Sequence, residues 1–179
     1  MSLAFIALGA NLASPAGPPE ATLTAAAGRL AAFGCIAACS SLYSTEPVGF
    51  ADQPRFVNAV LALATDLSPR NLLAALLGLE DEFGRVRDAR LPNGPRTLDL
   101  DLLFYDDLVL GSSGLEVPHP RLAGRAFVLV PLCEIAPHLR DPRSGKTAAQ
   151  WLEALQDSTS HGAVNRLASS LWTAKTHSG

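Results

Sequence analysis

Thr97-Leu98-Asp99-Leu100-Asp101-Leu102-Leu103-Phe104 alternates apolar and acidic residues with a period of two through its first half. In an extended strand, alternate residues share a face. Leu98, Leu100, Leu102 and Phe104 are therefore expected to bury one side, with Asp99 and Asp101 projecting together from the other. Two carboxylates about 7 Å apart along a strand repel each other unless something cationic sits between them. Magnesium suits that place, because it favours hard oxygen ligands and completes its shell with water and phosphate oxygens. A half-exposed strand with polar residues turned outward is the plain alternative, and D-x-D alone does not choose between them.

The flanking segments do choose. Immediately upstream, Gly84-Arg85-Val86-Arg87-Asp88-Ala89-Arg90-Leu91-Pro92-Asn93-Gly94-Pro95-Arg96 holds four arginines against one acid, in a chain of net charge −3. Arginine clamps phosphate in a bidentate way where lysine acts as a point charge. Cations for a polyphosphate and acids for its metals are neighbours by chain connectivity. Downstream, Val117-Pro118-His119-Pro120-Arg121 presents a histidine between two prolines, with Arg125 four residues further on. Gly145-Lys146-Thr147 resembles the end of a phosphate loop, but the required earlier glycine would stand at Arg140. It is read as a turn and helix start.

The rest of the chain supplies the frame. Residues 3–8 form an apolar first strand that breaks at Gly9-Ala10-Asn11, without the basic start of a signal peptide. Pro18-Pro19-Glu20 opens a helix that Gly34 stops, and residues 36–43 follow as a strand. After a turn-rich loop over 44–54 comes a strand over 56–64. Ser68-Pro69 then starts a helix whose Leu72, Leu73, Leu76 and Leu79 face the core. Strands over 97–105 and 108–110 follow, with Glu116-Val117 continuing the sheet. Helices are expected over 121–135, bent at Pro131, and over 148–155. The order is β-α-β-β-α-β with C-terminal additions, an α+β ferredoxin-like sandwich with helices packed on an antiparallel sheet. A single domain is expected over 1–157, with a partly mobile C-terminal tail over 158–179.

Composition narrows the function classes. A chain of 179 residues, 48% hydrophobic and 17% charged, builds a core rather than a disordered ensemble. Its acidic balance argues against a nucleic-acid binder, and no apolar run is long enough to span a membrane. The three cysteines make no disulfide framework and read as small buried hydrophobes in a reducing cytoplasm. A soluble monomer acting on small molecules is the expectation.

Together these residues resemble the 6-hydroxymethyl-7,8-dihydropterin pyrophosphokinases of folate biosynthesis. The resemblance runs in order through Phe5-Ile6-Ala7-Leu8-Gly9-Ala10-Asn11-Leu12, Ser44-Thr45-Glu46-Pro47-Val48-Gly49 and Asp52-Gln53-Pro54-Arg55-Phe56-Val57-Asn58. It continues through Gly84-Arg85-Val86-Arg87, the stretch from Gly94 to Asp101, Val117-Pro118-His119-Pro120-Arg121, and Arg125-Ala126-Phe127-Val128-Leu129-Val130-Pro131-Leu132. It implies transfer of pyrophosphate from ATP to the pterin's hydroxymethyl oxygen, releasing AMP, with two magnesium ions on Asp99 and Asp101. By the same resemblance, Arg85 and Arg96 contact phosphates as the loop closes. Glu80, Arg87, His119 and Arg125 belong to the nucleotide site. Phe56 and Phe127 stack on the pterin, Asn58 reads its edge, and Thr45 and Val48 complete the pocket. Two departures stand out: Leu91-Pro92-Asn93 replaces an aromatic residue common in relatives, and Ala123-Gly124 is smaller than usual. A non-catalytic ferredoxin-like ligand-binding module and a metal-dependent phosphohydrolase are the competing classes.

Overall fold

The computed structural model describes residues 1–49, 52–87, 94–112, 114–156 and 162–168. Asp88, Arg90, the 91–93 departure and much of the expected tail lie outside them.

Strand β1 (Ser2–Ala10) is central in the main sheet, antiparallel to β4 (Phe56–Thr65) on one side and to β5 (Asp99–Tyr105) on the other. Its residues are buried on both faces, which is why it reads as an unbroken apolar run. Gly9 does not break the strand as its sequence suggested; it pairs with Asn58 and Asp99. Helix α1 (Pro19–Leu30) ends in a 3₁₀ turn, Ala31–Phe33. At Gly34 a Cβ would stand 2.1 Å from Ala64 O, so close backbone approach requires the glycine there.

The single strand expected over 36–43 is two: β2 (Cys35–Cys39) and β3 (Tyr43–Thr45), which share one edge of β4. Ser40 makes the break. Its N–H donates to Val60 O at 2.9 Å, but its hydroxyl accepts from Val60 N at 2.9 Å in place of a ladder carbonyl. Ser41 then turns to Glu134, which accepts from both its N–H and its hydroxyl.

Helix α2 (Pro69–Glu82) begins as expected, with Ser68 Oγ accepting from Asn71 N, and leads to Gly84 at φ 77°. Strands β6 (Leu110–Ser112) and β7 (Leu115–Val117) pair with each other as a separate hairpin, so Glu116-Val117 does not extend the main sheet. The expected bent helix is a 3₁₀ turn, Leu122–Gly124, followed by α3 (Ala126–Ile135) with Pro131 inside it. Helix α4 (Ala148–Gln156) follows a turn in which Thr147 and Gln150 cap each other reciprocally. Strand β8 (Val164–Arg166), within the stretch read as tail, pairs with β3. Three residues carry too little periodicity to announce a strand.

The main sheet runs β5-β1-β4-β3-β8, with β2 also on β4. Helices α1 and α2 cover one face with Leu23, Leu30, Leu72, Leu76 and Leu79 against Ile6, Leu8, Leu61 and Leu63. Helices α3 and α4 cover the other, with Val128, Leu129 and Leu132 against Phe5, Val60 and Phe104. A bulge opposite Phe5/Ile6 inserts Leu103 into β5. Leu98, Leu100 and Leu102 face α1 and α2 as expected, but Leu103 and Phe104 both face α3.

Candidate active site

Both acids of β5 stay on the α3 side of the sheet: Asp99 lies opposite Gly9 and Asp101 opposite Ala7. Asn58 flanks Gly9 from β4 on the same face. At Gly9 a Cβ would stand 2.8 Å from Asn58 Oδ1, so the absent side chain is what lets amide and carboxylate share one cleft. Sequence reasoning missed this role; a glycine inside an apolar strand was the available signal.

The cleft is about 390 Å³ and is lined by Thr45, Glu46, Val48, Phe56, Asn58, Arg96, Asp99, Asp101, Arg125 and Phe127, among others. At its apolar end Asn58 Nδ2 donates to Thr45 Oγ1 at 2.6 Å, and both residues are buried. Phe56 is buried on β4, Phe127 is half-buried on α3, and Val48 is exposed at the rim. Each ring is faced by a guanidinium: Arg96 Cζ lies 4.8 Å from the Phe56 centroid and Arg125 Cζ 5.6 Å from that of Phe127.

At the charged end Asp99 pairs with Arg85 Nη1 and lies 3.0 Å from Arg96 Nε. Arg96 Nε makes that ion pair without hydrogen-bond alignment and is a buried donor lacking a partner. Asn11 places Arg96: its Oδ1 accepts from Arg96 N at 2.8 Å, while its Nδ2 donates to Gln53 Oε1 and Pro54 O. Asp101 accepts from Arg125 Nη1 at 2.9 Å, and His119 Nε2 lies 3.8 Å away. Arg121 N donates to His119 Nδ1, which leaves the neutral ring's proton on Nε2, facing Asp101. Burial holds His119 below its ordinary pKa, against the opposing pull of Asp101.

Glu80 organises the arginines from behind. Only 2% exposed on α2, it accepts through Oε1 from Leu100 N at 2.7 Å and Arg85 Nη1 at 2.8 Å, and through Oε2 from Arg87 Nη2. Burial pushes its carboxyl up to about 6, although the Leu100 N–H and the charges of Arg85 and Arg87 oppose the shift. The resemblance gave Glu80 to the nucleotide site, and the structure buries it behind the arginines. Burial instead lowers the basicity of Arg85, but the charge and hydrogen bond of Asp99 more than offset this.

A second cleft of about 300 Å³ opens on the other side of Asp101, between Leu73 of α2, Leu100 and Leu102 of β5, the β6–β7 hairpin and His119. The structure thus gathers the sequence-derived residues around two clefts that share Asp101, with Glu80 and Arg87 behind the charged end. Among the described residues, no group of three or more His, Cys, Asp or Glu side chains converges as a metal site.

Fold and site together define an α+β protein of the ferredoxin-like class, with arginine and carboxylate groups meeting beside an aromatic cleft. The chain belongs to the 7,8-dihydro-6-hydroxymethylpterin-pyrophosphokinase family, whose model matches residues 5–137. It is 51% identical over 138 residues to the 2-amino-4-hydroxy-6-hydroxymethyldihydropteridine pyrophosphokinase of Pseudomonas aeruginosa, covering 77% of this chain and 83% of that one. The Synechocystis enzyme of the same name is 45% identical over 152 residues, covering 84% and 74%. Among solved structures, Plasmodium falciparum HPPK-DHPS superposes with a TM-score of 0.68 at 14% identity, a likeness of fold. The match covers 86% of this chain and 44% of that longer one.

Proposed function

We propose that this enzyme transfers the terminal pyrophosphate of ATP to the hydroxymethyl oxygen of 6-hydroxymethyl-7,8-dihydropterin, giving AMP and the pterin diphosphate for folate synthesis. The observation that carries this reading is that the two clefts share Asp101 as a wall, with the Phe56–Asn58–Phe127 end on one side and His119 on the other. A flat heterocycle edged with donors and acceptors suits aromatic faces and a fixed amide. The smaller cleft, with its leucines and neutral His119, suits the purine. The triphosphate then crosses the carboxylates and arginines between them.

Two carboxylates on one wall, with no group of three His, Cys, Asp or Glu converging among the described residues, fit magnesium, which takes its remaining ligands from water and phosphate. Asp99 and Asp101 would hold two such ions. Bound there, magnesium would supply Lewis-acid charge to the phosphate oxygens. Arg85, Arg96 and Arg125 now neutralise those carboxylates; on binding they turn to phosphate, and Arg96 Nε, ion-paired with Asp99 but not hydrogen-bonded, gains an aligned acceptor. Asn58 and the two phenylalanines orient the pterin so that its hydroxymethyl oxygen approaches the β-phosphorus. That P–O bond forms as the bond to the α–β bridging oxygen breaks; AMP leaves, and the hydroxyl proton passes to water. Positioning and electrostatics carry the rate. The same reading makes the enzyme a cytoplasmic monomer, which sedimentation of the purified chain tests for assembly.

Incubation with Mg-ATP and the reduced pterin, followed by chromatography, is expected to yield AMP and pterin diphosphate in equal amounts. ATP consumption without the pterin would favour a phosphohydrolase, and ligand uptake with no product a binding module. Either result would overturn the proposal.

A further inference from the structure

Arg55 stands immediately before Phe56 and half outside the protein, where an arginine ordinarily contributes little. Its contacts are unusual for such a place, because they tie three separate segments together. Nε donates to Ser44 Oγ at 2.9 Å, Nη1 pairs with Glu46 Oε1 at 3.2 Å, and Nη2 reaches Ser44 O at 3.4 Å and Ala163 O at 3.3 Å. Ser44 and Glu46 flank Thr45, the residue whose hydroxyl holds Asn58, and Glu46 itself lines the cleft.

The C-terminal segment completes the arrangement. Strand β8 pairs Val164 with Thr45, Asn165 with Ser44 and Arg166 with Tyr43, while Leu167 N donates to Leu42 O at 2.8 Å. Gly162 lies flat on Glu46, since a Cβ there would stand 3.1 Å from Glu46 Cβ and 3.2 Å from Oε2. Without this cover β3 would be a three-residue edge strand, too short to hold a fixed geometry by its own ladder.

We propose that Arg55 and the segment 162–168 form a brace that positions the β3 wall of the cleft, making Arg55 a positioning residue for the pterin. The proposal rests on the reading of the Phe56–Asn58–Phe127 end as the pterin site. A wall ordered before binding costs less to order on binding, so the brace acts on pterin affinity and not on the phosphate chemistry. A lysine places one compact charge where the arginine fork reaches two other segments, and reproduces the effect only in part.

Steady-state kinetics with each substrate varied separately tests this. Arg55→Ala is expected to raise the KM for the pterin about tenfold, the equivalent of about 1.4 kcal/mol, with kcat and the KM for ATP unchanged. Arg55→Lys should recover part of the loss. Gly162→Val, on a different segment, should raise the same constant by pressing on Glu46. A role confined to stability would lower the melting temperature and the active fraction, hence kcat, and leave the pterin KM at its parental value. That result in both Arg55→Ala and Gly162→Val, or an equal rise in the KM for ATP, would overturn the proposal while the parent still turns over both substrates. A parent that neither binds nor consumes the pterin would overturn the functional reading, and this one with it.

Discussion

At Gly9 one added carbon would press on Asn58 Oδ1, which cannot retreat because the other end of the amide is tied to Thr45. Gly9→Ala is expected to weaken pterin binding by about ten- to a hundredfold, the scale of a 1–3 kcal/mol packing clash, while a folded sheet persists. Calorimetric titration with the pterin checks this, and parental affinity would count against the assigned place of Asn58. Asp99→Ala and Asp101→Ala are each expected to lower turnover by about a thousandfold or more, the several kcal/mol that metal-assisted charge stabilisation supplies. Circular dichroism should show both variants folded; near-parental kcat in both would remove the metal assignment. These acids were legible because a strand's alternation is local. The burial of Glu80 was not: its partners Arg85 and Leu100 come together only when α2 lies against β5.

The elements were legible where periodicity or capping was strong. Helix α2 starts at its Ser68-Pro69 signal, and β4 and α4 lie close to their expected bounds. Sequence failed where a single side chain interrupts a ladder, as Ser40 does between β2 and β3, or where one extra residue enters a strand, as Leu103 does in β5. Cys35 also departs from expectation, being exposed on β2. The β2–β3 break carries a pH prediction through Glu134. Burial by itself would raise this carboxyl, but hydrogen bonds from Ser41 N, Ser41 Oγ and Tyr43 OH, with the charge of Arg166, bring it below its ordinary 4.5. A carboxyl more acidic in the fold than in the unfolded chain stabilises the protein above its ordinary pKa. That contribution is lost as pH falls through the lower folded value. The stability gap between parent and Glu134→Gln in urea melts is therefore expected to be full near neutrality and to shrink below about pH 4.5. A gap constant to pH 3 would exclude the linkage.

At the scale of the whole molecule, one sheet serves two apolar layers; the larger cleft opens on its α3 side, and the smaller lies at the β5 edge beside Leu73 of α2. No described helix is long and apolar enough to cross a membrane. Binding confined to the folded state stabilises it by about 2.7 kcal/mol at a hundredfold excess over Kd. Mg-ATP at that excess is expected to raise the melting temperature by about 5–10 °C for a chain of this size, and EDTA to cancel most of the shift. No shift with Mg-ATP would contradict a nucleotide site.

The placement of Gly9 between Asn58 and Asp99 has a last consequence. The line joining the Cα atoms of Asn58 and Asp99 runs across the strands, so its length is two inter-strand steps, about 10 Å. That ruler is graduated in peptide hydrogen bonds, which every residue type except proline makes alike. Substitutions in either layer can loosen or tilt what stands at its two marks, but they cannot rescale the interval between them.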